Sequence, residues 1–133
     1  MPLSATDRVV VSGRPQALPA AAVIRVVEQV LRGEGREGRV EVAFVGRDRM
    51  SDLNQRWKGV ARPTDVLALA LHSDGGPAVG DVYVCPWMAR RSAAEYGIPL
   101  REELIRLVVH GTLHVLGWDH PEGDDRTASP MWN

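Results

Sequence analysis

A chain of 133 residues, 44% hydrophobic and 25% charged, has the size and composition of one compact domain, residues 1–133, with a core of its own. Its formal net charge of -1 excludes a uniformly basic nucleic-acid coat and a disordered acidic tail, so a polyanionic partner has to meet a local patch. One cysteine, Cys85, excludes an internal disulfide framework and fits a reducing compartment.

The opening "MPLSATDRVVVSGRPQ" has no basic segment leading into an apolar run and a cleavage site. No stretch approaches the roughly 20 apolar residues that a membrane span requires. The expectation is a soluble, unexported, cytoplasmic protein with no membrane partner.

In chain order, "DRVVVSG" has the β-branched density of a short strand. "LPAAAVIRVVEQVLRGEG" then places Val23, Val26, Val27, Val30 and Leu31 at helical spacing after a proline and stops at glycines. "RVEVAFVG" alternates and then runs apolar, as a second strand of the same sheet would. "RDRMSDLNQRW" reads as a second helix, and "TDVLALAL" as a strand bounded by Pro63 and by the turn-rich "HSDGGP". "GDVYVCP" extends the sheet, and "PWMARRSAAEYG" is a short helix closed by Gly97. "PLREELIRLVVHGTLHVLG" is a long helix that opens with proline and acids and ends at Gly117. The order predicts an α+β fold, with helices packed on a small mixed sheet of about four strands.

The end of that long helix carries the chemistry. "HGTLHVLGWDH" holds His110, His114 and His120, three of the chain's four histidines. His110 and His114 are four residues apart and project from one helix face, one turn above the other. Gly117 allows a left-handed turn that brings His120 back toward that face. Three imidazoles can then converge on one ion, and zinc is the natural occupant, with a fourth tetrahedral position left for water as in catalytic sites. The spacing is also the metal-binding half of the metzincin protease signature, in which a glutamate general base follows the first histidine. Here that position is Gly111. A metallopeptidase reading therefore has its metal and lacks its proton acceptor.

At these residues the chain resembles the YbeY family of metal-dependent endoribonucleases. "LNQRWKGVARPTDVLAL" is similar to that family's run of Leu-Asn, an aromatic, a basic residue and Pro-Thr-Asp-Val-Leu, while "GDVYVCP" resembles its Gly-Asp strand and "EELIRLVVHG" continues the likeness. The blocks cover roughly residues 40 to 120, in the family's order. The resemblance implies cleavage of single-stranded RNA, one zinc bound by His110, His114 and His120, maturation of the 3′ end of small-subunit ribosomal RNA, and ribosome quality control. It also implies that Lys58, the only lysine, stands where the family commonly has arginine, exchanging a planar phosphate fork for a point charge; Lys58 reads either as a catalytic cation facing the metal or as a solvated lysine on a loop. Ala68 and Leu69 replace the family's usual serine and phenylalanine.

Two other classes stay open on the sequence: another zinc hydrolase such as a metallopeptidase, and a noncatalytic ribosome-associated module whose zinc fastens the chain. Several polar residues have plainer readings. Asp65 and Asp81 are expected to tie down strand ends. Asp119 is expected either to support a ligand histidine from behind or to be exposed beside Trp118. His72 is expected at the surface. The arginines of "MARRSAAEYG" and "PLREELIRL" read as solvated helix faces, and the sequence assigns them no RNA path.

Overall fold

The computed structural model describes residues 9–13, 15, 17–72 and 76–118. The described elements run β1 (Val9–Ser12), α1 (Ala20–Gly33), β2 (Gly38–Phe44), α2 (Arg47–Lys58), β3 (Val66–Ala70), β4 (Ala78–Val84), α3 (Pro86–Tyr96) and α4 (Leu100–Val115). This is the expected α+β arrangement. The sheet order is β1-β2-β4-β3. β1, β2 and β4 are parallel, with Val9 beside Val40 and Val40 beside Gly80. β3 runs antiparallel at the edge, with Leu67 beside Tyr83.

Local chemistry sets each element's ends. Leu18 and Val23 are both buried in one core, at the two positions where apolar side chains staple a helix start. Val23, Val27 and Leu31 carry the buried stripe of α1. α2 closes at Gly59, whose φ of 73° suits a left-handed cap, and Pro86 occupies the first turn of α3, where its missing N–H costs nothing.

Two unequal layers cover the sheet. On one face, α1 and α4 bury Val40, Val42, Val82 and Val84 together with Leu104, Leu107 and Val108. On the other, α2 brings Met50 and Leu53 onto Leu67 and Cys85, with Trp87, Met88 and Tyr83 packed around them. Parallel strands ordinarily read as continuous apolar runs because both faces are covered. Here Glu41 and Asp81 alternate with buried valines, since α2 leaves part of that second face open. Among the described residues no helix is long and apolar enough to cross a membrane.

Candidate active site

The site begins with how closely α4 lies on the sheet. A Cβ on Gly80 would meet Leu69 O at 2.5 Å and Val115 Cγ1 at 2.6 Å, and a Cβ on Gly111 would meet Val82 Cγ1 at 2.5 Å. One glycine from the strand and one from the helix thus permit a contact that any side chain would push apart. Gly111 therefore faces the sheet, and His110, one residue earlier, is turned about 100° away from it.

His110 and His114 are both half-buried, with ring centroids 4.7 Å apart and planes inclined by 39°. They share a cavity of about 190 Å³ with Lys58, Thr64, Asp65 and the β3 residues Val66, Leu67 and Ala68. Lys58 comes from the last turn of α2, and its backbone is fixed by the Gly59 cap, whose N–H bonds to Gln55 O at 3.0 Å. Asp65 makes the opposite wall. Its Oδ1 accepts from the Val66 N–H at 2.8 Å and from Thr64 Oγ1 at 3.4 Å, and its carbonyl accepts from the Cys85 N–H at 2.9 Å. Those bonds are the strand-end tie expected of it, now made inside the cavity wall.

Below His110 on the same helix, Arg106 donates to both oxygens of the fully buried Glu103, at 2.7 and 2.9 Å. The hydrogen bond from Arg106 to Glu103 pushes the arginine's pKa up, burial works against it, and the charges of Glu103, Asp65 and Tyr96 push it further up. Arg106 is therefore a fixed cation one turn before His110. The sequence showed Glu103 as one of the first-turn acids and Arg106 as a solvated charge; their spacing of three residues was the available signal.

The helix end was legible as well. Gly117 has φ 103°, its N–H bonds to His114 O at 3.0 Å, and the Trp118 N–H reaches back to Leu113 O at 3.0 Å. This paired closure is the Schellman motif. Arg36 adds longer bonds, at 3.4 Å, to Leu116 O and Gly76 O, and Trp118 Nε1 donates to Glu34. His120 and Asp119 lie outside the described residues. Among the described residues no three potential metal ligands converge, and the structure brings together the pair His110 and His114.

Other candidates sit apart. His72 is half-buried at the hairpin, where its Nδ1 accepts from the Val79 N–H at 3.1 Å. Asp81 lines a separate depression on the open sheet face with Glu41, Arg49 and Tyr83. Cys85 is buried, which pushes its thiol pKa up and leaves it a poor nucleophile.

Fold and site together define a small α+β protein in which two helical imidazoles, a lysine and a turn aspartate face one cavity at the edge of a mixed sheet. The family model described as endoribonuclease YbeY matches residues 14–131, and the chain belongs to that family. The endoribonuclease YbeY of Thermotoga maritima is 35% identical over 106 residues, 80% of this chain and 69% of that one. The endoribonuclease YbeY of Pelotomaculum thermopropionicum is 38% identical over 112 residues, 77% of this chain and 73% of its own. A solution structure of a Thermotoga maritima protein superimposes with a TM-score of 0.58 at 28% identity, covering 90% of this chain and 80% of that one.

Proposed function

We propose that the protein is a zinc-dependent endoribonuclease that cleaves single-stranded RNA in the cytoplasm, acting in 3′-end maturation of small-subunit ribosomal RNA and in ribosome quality control. The observation that carries this reading is the single cavity that holds Lys58 beside His110 and His114. The names of the relatives supply the substrate class.

The two described imidazoles fit a metal role, because they are neighbours on one helix face, with ring centroids 4.7 Å apart, and open to a common cavity. With His120 as third ligand they would hold one zinc, which when bound supplies Lewis acidity to a phosphodiester oxygen. The chain's own groups do the rest. Lys58, exposed at the cavity's rim, would place an ammonium where a phosphate oxygen gains charge during cleavage. Thr64 and Asp65 shape the wall, and the bond from the Val66 N–H to Asp65 Oδ1 positions the strand end.

A peptidase reading fits less well. Its glutamate would have to stand at position 111, where even a Cβ would overlap Val82. A noncatalytic zinc module fits less well too, because the histidine pair opens onto the cavity.

The test is incubation of zinc-loaded protein with single-stranded RNA, duplex RNA and casein in parallel, beside the His114→Ala variant. Cleavage of the single strand alone, with about one zinc per chain in the wild type and less in the variant, is the expected result. Casein hydrolysis, or equal zinc in both proteins, would overturn it.

A further inference from the structure

A second cavity, of about 280 Å³, opens at the carboxyl ends of the parallel strands β2 and β4 and is lined by Phe44, Gly46, Pro86, Trp87 and Arg90. Carboxyl ends of parallel strands are where open sheets that carry helices place ligands. Trp87 lies at the centre of a cationic cluster. The guanidinium of Arg47 sits 5.3 Å from its ring centroid and that of Arg91 sits 4.9 Å away. The indole is itself anchored, since it packs against the Met50, Leu53, Leu67 and Cys85 cluster on the second sheet face. It thus holds two otherwise flexible side chains in place by cation–π attraction.

Arg47, Arg90 and Arg91 are exposed. Among the described residues the one acid within ion-pair distance of them is Asp48, 3.2 Å from Arg47 Nε and itself largely exposed, so three cations meet a single paired acid. Among the described residues Arg90 and Arg91 make no ion pair. An exposed pair such as Arg47–Asp48 contributes little and leaves most of the guanidinium's donors for a ligand.

The cluster lies within a strand's reach of the first cavity. Arg47 opens α2 and Lys58 closes it, and a helix of 12 residues is about 18 Å long. Across the sheet end, Val45 and Asp65 flank Cys85 on either side, two strand spacings or about 10 Å apart. A stacked single strand with a phosphate every 3.4 Å or so bridges these distances in roughly three to five nucleotides.

We propose that Arg47 and Arg91, ordered on Trp87, form with the neighbouring Arg90 a phosphate-binding subsite that holds the backbone of single-stranded RNA three to five nucleotides from the Lys58, His110 and His114 cavity. The subsite rests on the reading of that cavity as an RNA-cleaving site. Guanidinium forks match phosphate geometry, and planar donors held in place lose less freedom on binding than mobile ones. Charge complementarity selects a polyanion, and a backbone subsite carries no base preference.

The experiment measures equilibrium binding of a labelled 12-nucleotide single-stranded RNA to the full chain as salt is varied, for wild type, the exposed double variant Arg90→Gln/Arg91→Gln, and the control Arg25→Gln/Arg32→Gln on α1, which removes the same charge elsewhere. Each phosphate contact to a single strand contributes about 0.7 to the slope of log affinity against log salt, so loss of two contacts should make the slope shallower by about 1.4. The control should keep the wild-type slope. Equal loss in both double variants would reduce the effect to overall charge, and an unchanged slope in Arg90→Gln/Arg91→Gln, including one that accompanies binding of an acidic peptide instead, would overturn the subsite. A third variant, Trp87→Leu, keeps apolar bulk while removing the π face, and should weaken binding in the same direction. Failure of the nuclease reading looks different: salt-sensitive RNA binding would persist without cleavage.

Discussion

Lys58 shows how the role proposed for one side chain depends on its surroundings. It is an exposed lysine in the last turn of α2, where a cation suits the helix dipole. In the fold it borders the cavity that holds both histidines. Removing a comparable electrostatic group from an active site commonly costs on the order of 10²-fold in rate, roughly 2.7 kcal/mol. Lys58→Ala should therefore lose turnover steeply while keeping its zinc, and Lys58→Arg should retain most activity. Single-turnover cleavage of one labelled RNA by the three proteins, each checked for zinc, measures this. Wild-type rates in Lys58→Ala would make the lysine a surface charge. Gly111 is the complementary case, a residue defined by what cannot stand there. Gly111→Ala should cost about 1–3 kcal/mol in urea unfolding, because overpacking a close contact forces the valine of β4 or the helix to shift. A stability equal to wild type would mean that α4 can slide at no cost, and the explanation for the missing glutamate would go with it.

At the scale of elements, α4 combines a buried charge with the face that carries His110 and His114. Glu103 is fully buried, and its partner Arg106 has a side chain 34% exposed. Removal of one member of such a pair leaves the other charge uncompensated, so Arg106→Ala should destabilise the fold by about 3 kcal/mol, the low end of the usual range because the arginine end is partly hydrated. Chemical denaturation measures it, and a loss below about 1 kcal/mol would show that water reaches Glu103. Element boundaries were readable because their causes are local. Gly97 and Gly117 terminate helices that prolines open, and the alternation in "GDVYVCP" follows one covered and one half-open face. The histidine pair was readable for the same reason, since four residues on a helix fix a geometry. Nonlocal facts were not readable from the residues. Lys58 reached its place in the sequence reading only through family resemblance, because its distance to α4 depends on how β3 pairs at the edge of the sheet. The Arg47, Trp87 and Arg91 cluster was invisible, since it forms only when β2 and β4 run parallel and deliver the starts of α2 and α3 to one end.

For the whole molecule, the thinner of the two cores contributes to the response to alkaline pH. That second face rests on Met50, Leu53, Leu67 and Cys85, with Tyr83 alongside. Burial pushes the Cys85 thiol up, and Asp65 adds to it. Burial likewise pushes the Tyr83 phenol up, followed by the nearby negative charge of Asp81. Both groups are neutral when protonated, so a raised pKa in the folded state means that the fold holds these protons more tightly than the unfolded chain does. Their contribution is fully present below the unfolded values, about 8.5 for cysteine and about 10 for tyrosine, and is lost as pH rises through the higher folded values. Stability should therefore decline above about pH 9, as the unfolded chain begins to release protons that the fold retains. The double variant Cys85→Ala/Tyr83→Phe, which carries neither titrating group, should decline less steeply over the same range even though it starts from a lower stability. Urea midpoints measured from pH 7 to 11 give the two slopes, and a thiol reagent at pH 8 should label Cys85 of the native protein only at the rate of unfolding. Parallel slopes together with rapid native labelling would mean that water enters between α2 and the sheet, and the second face would then be a loosely held layer in place of a core.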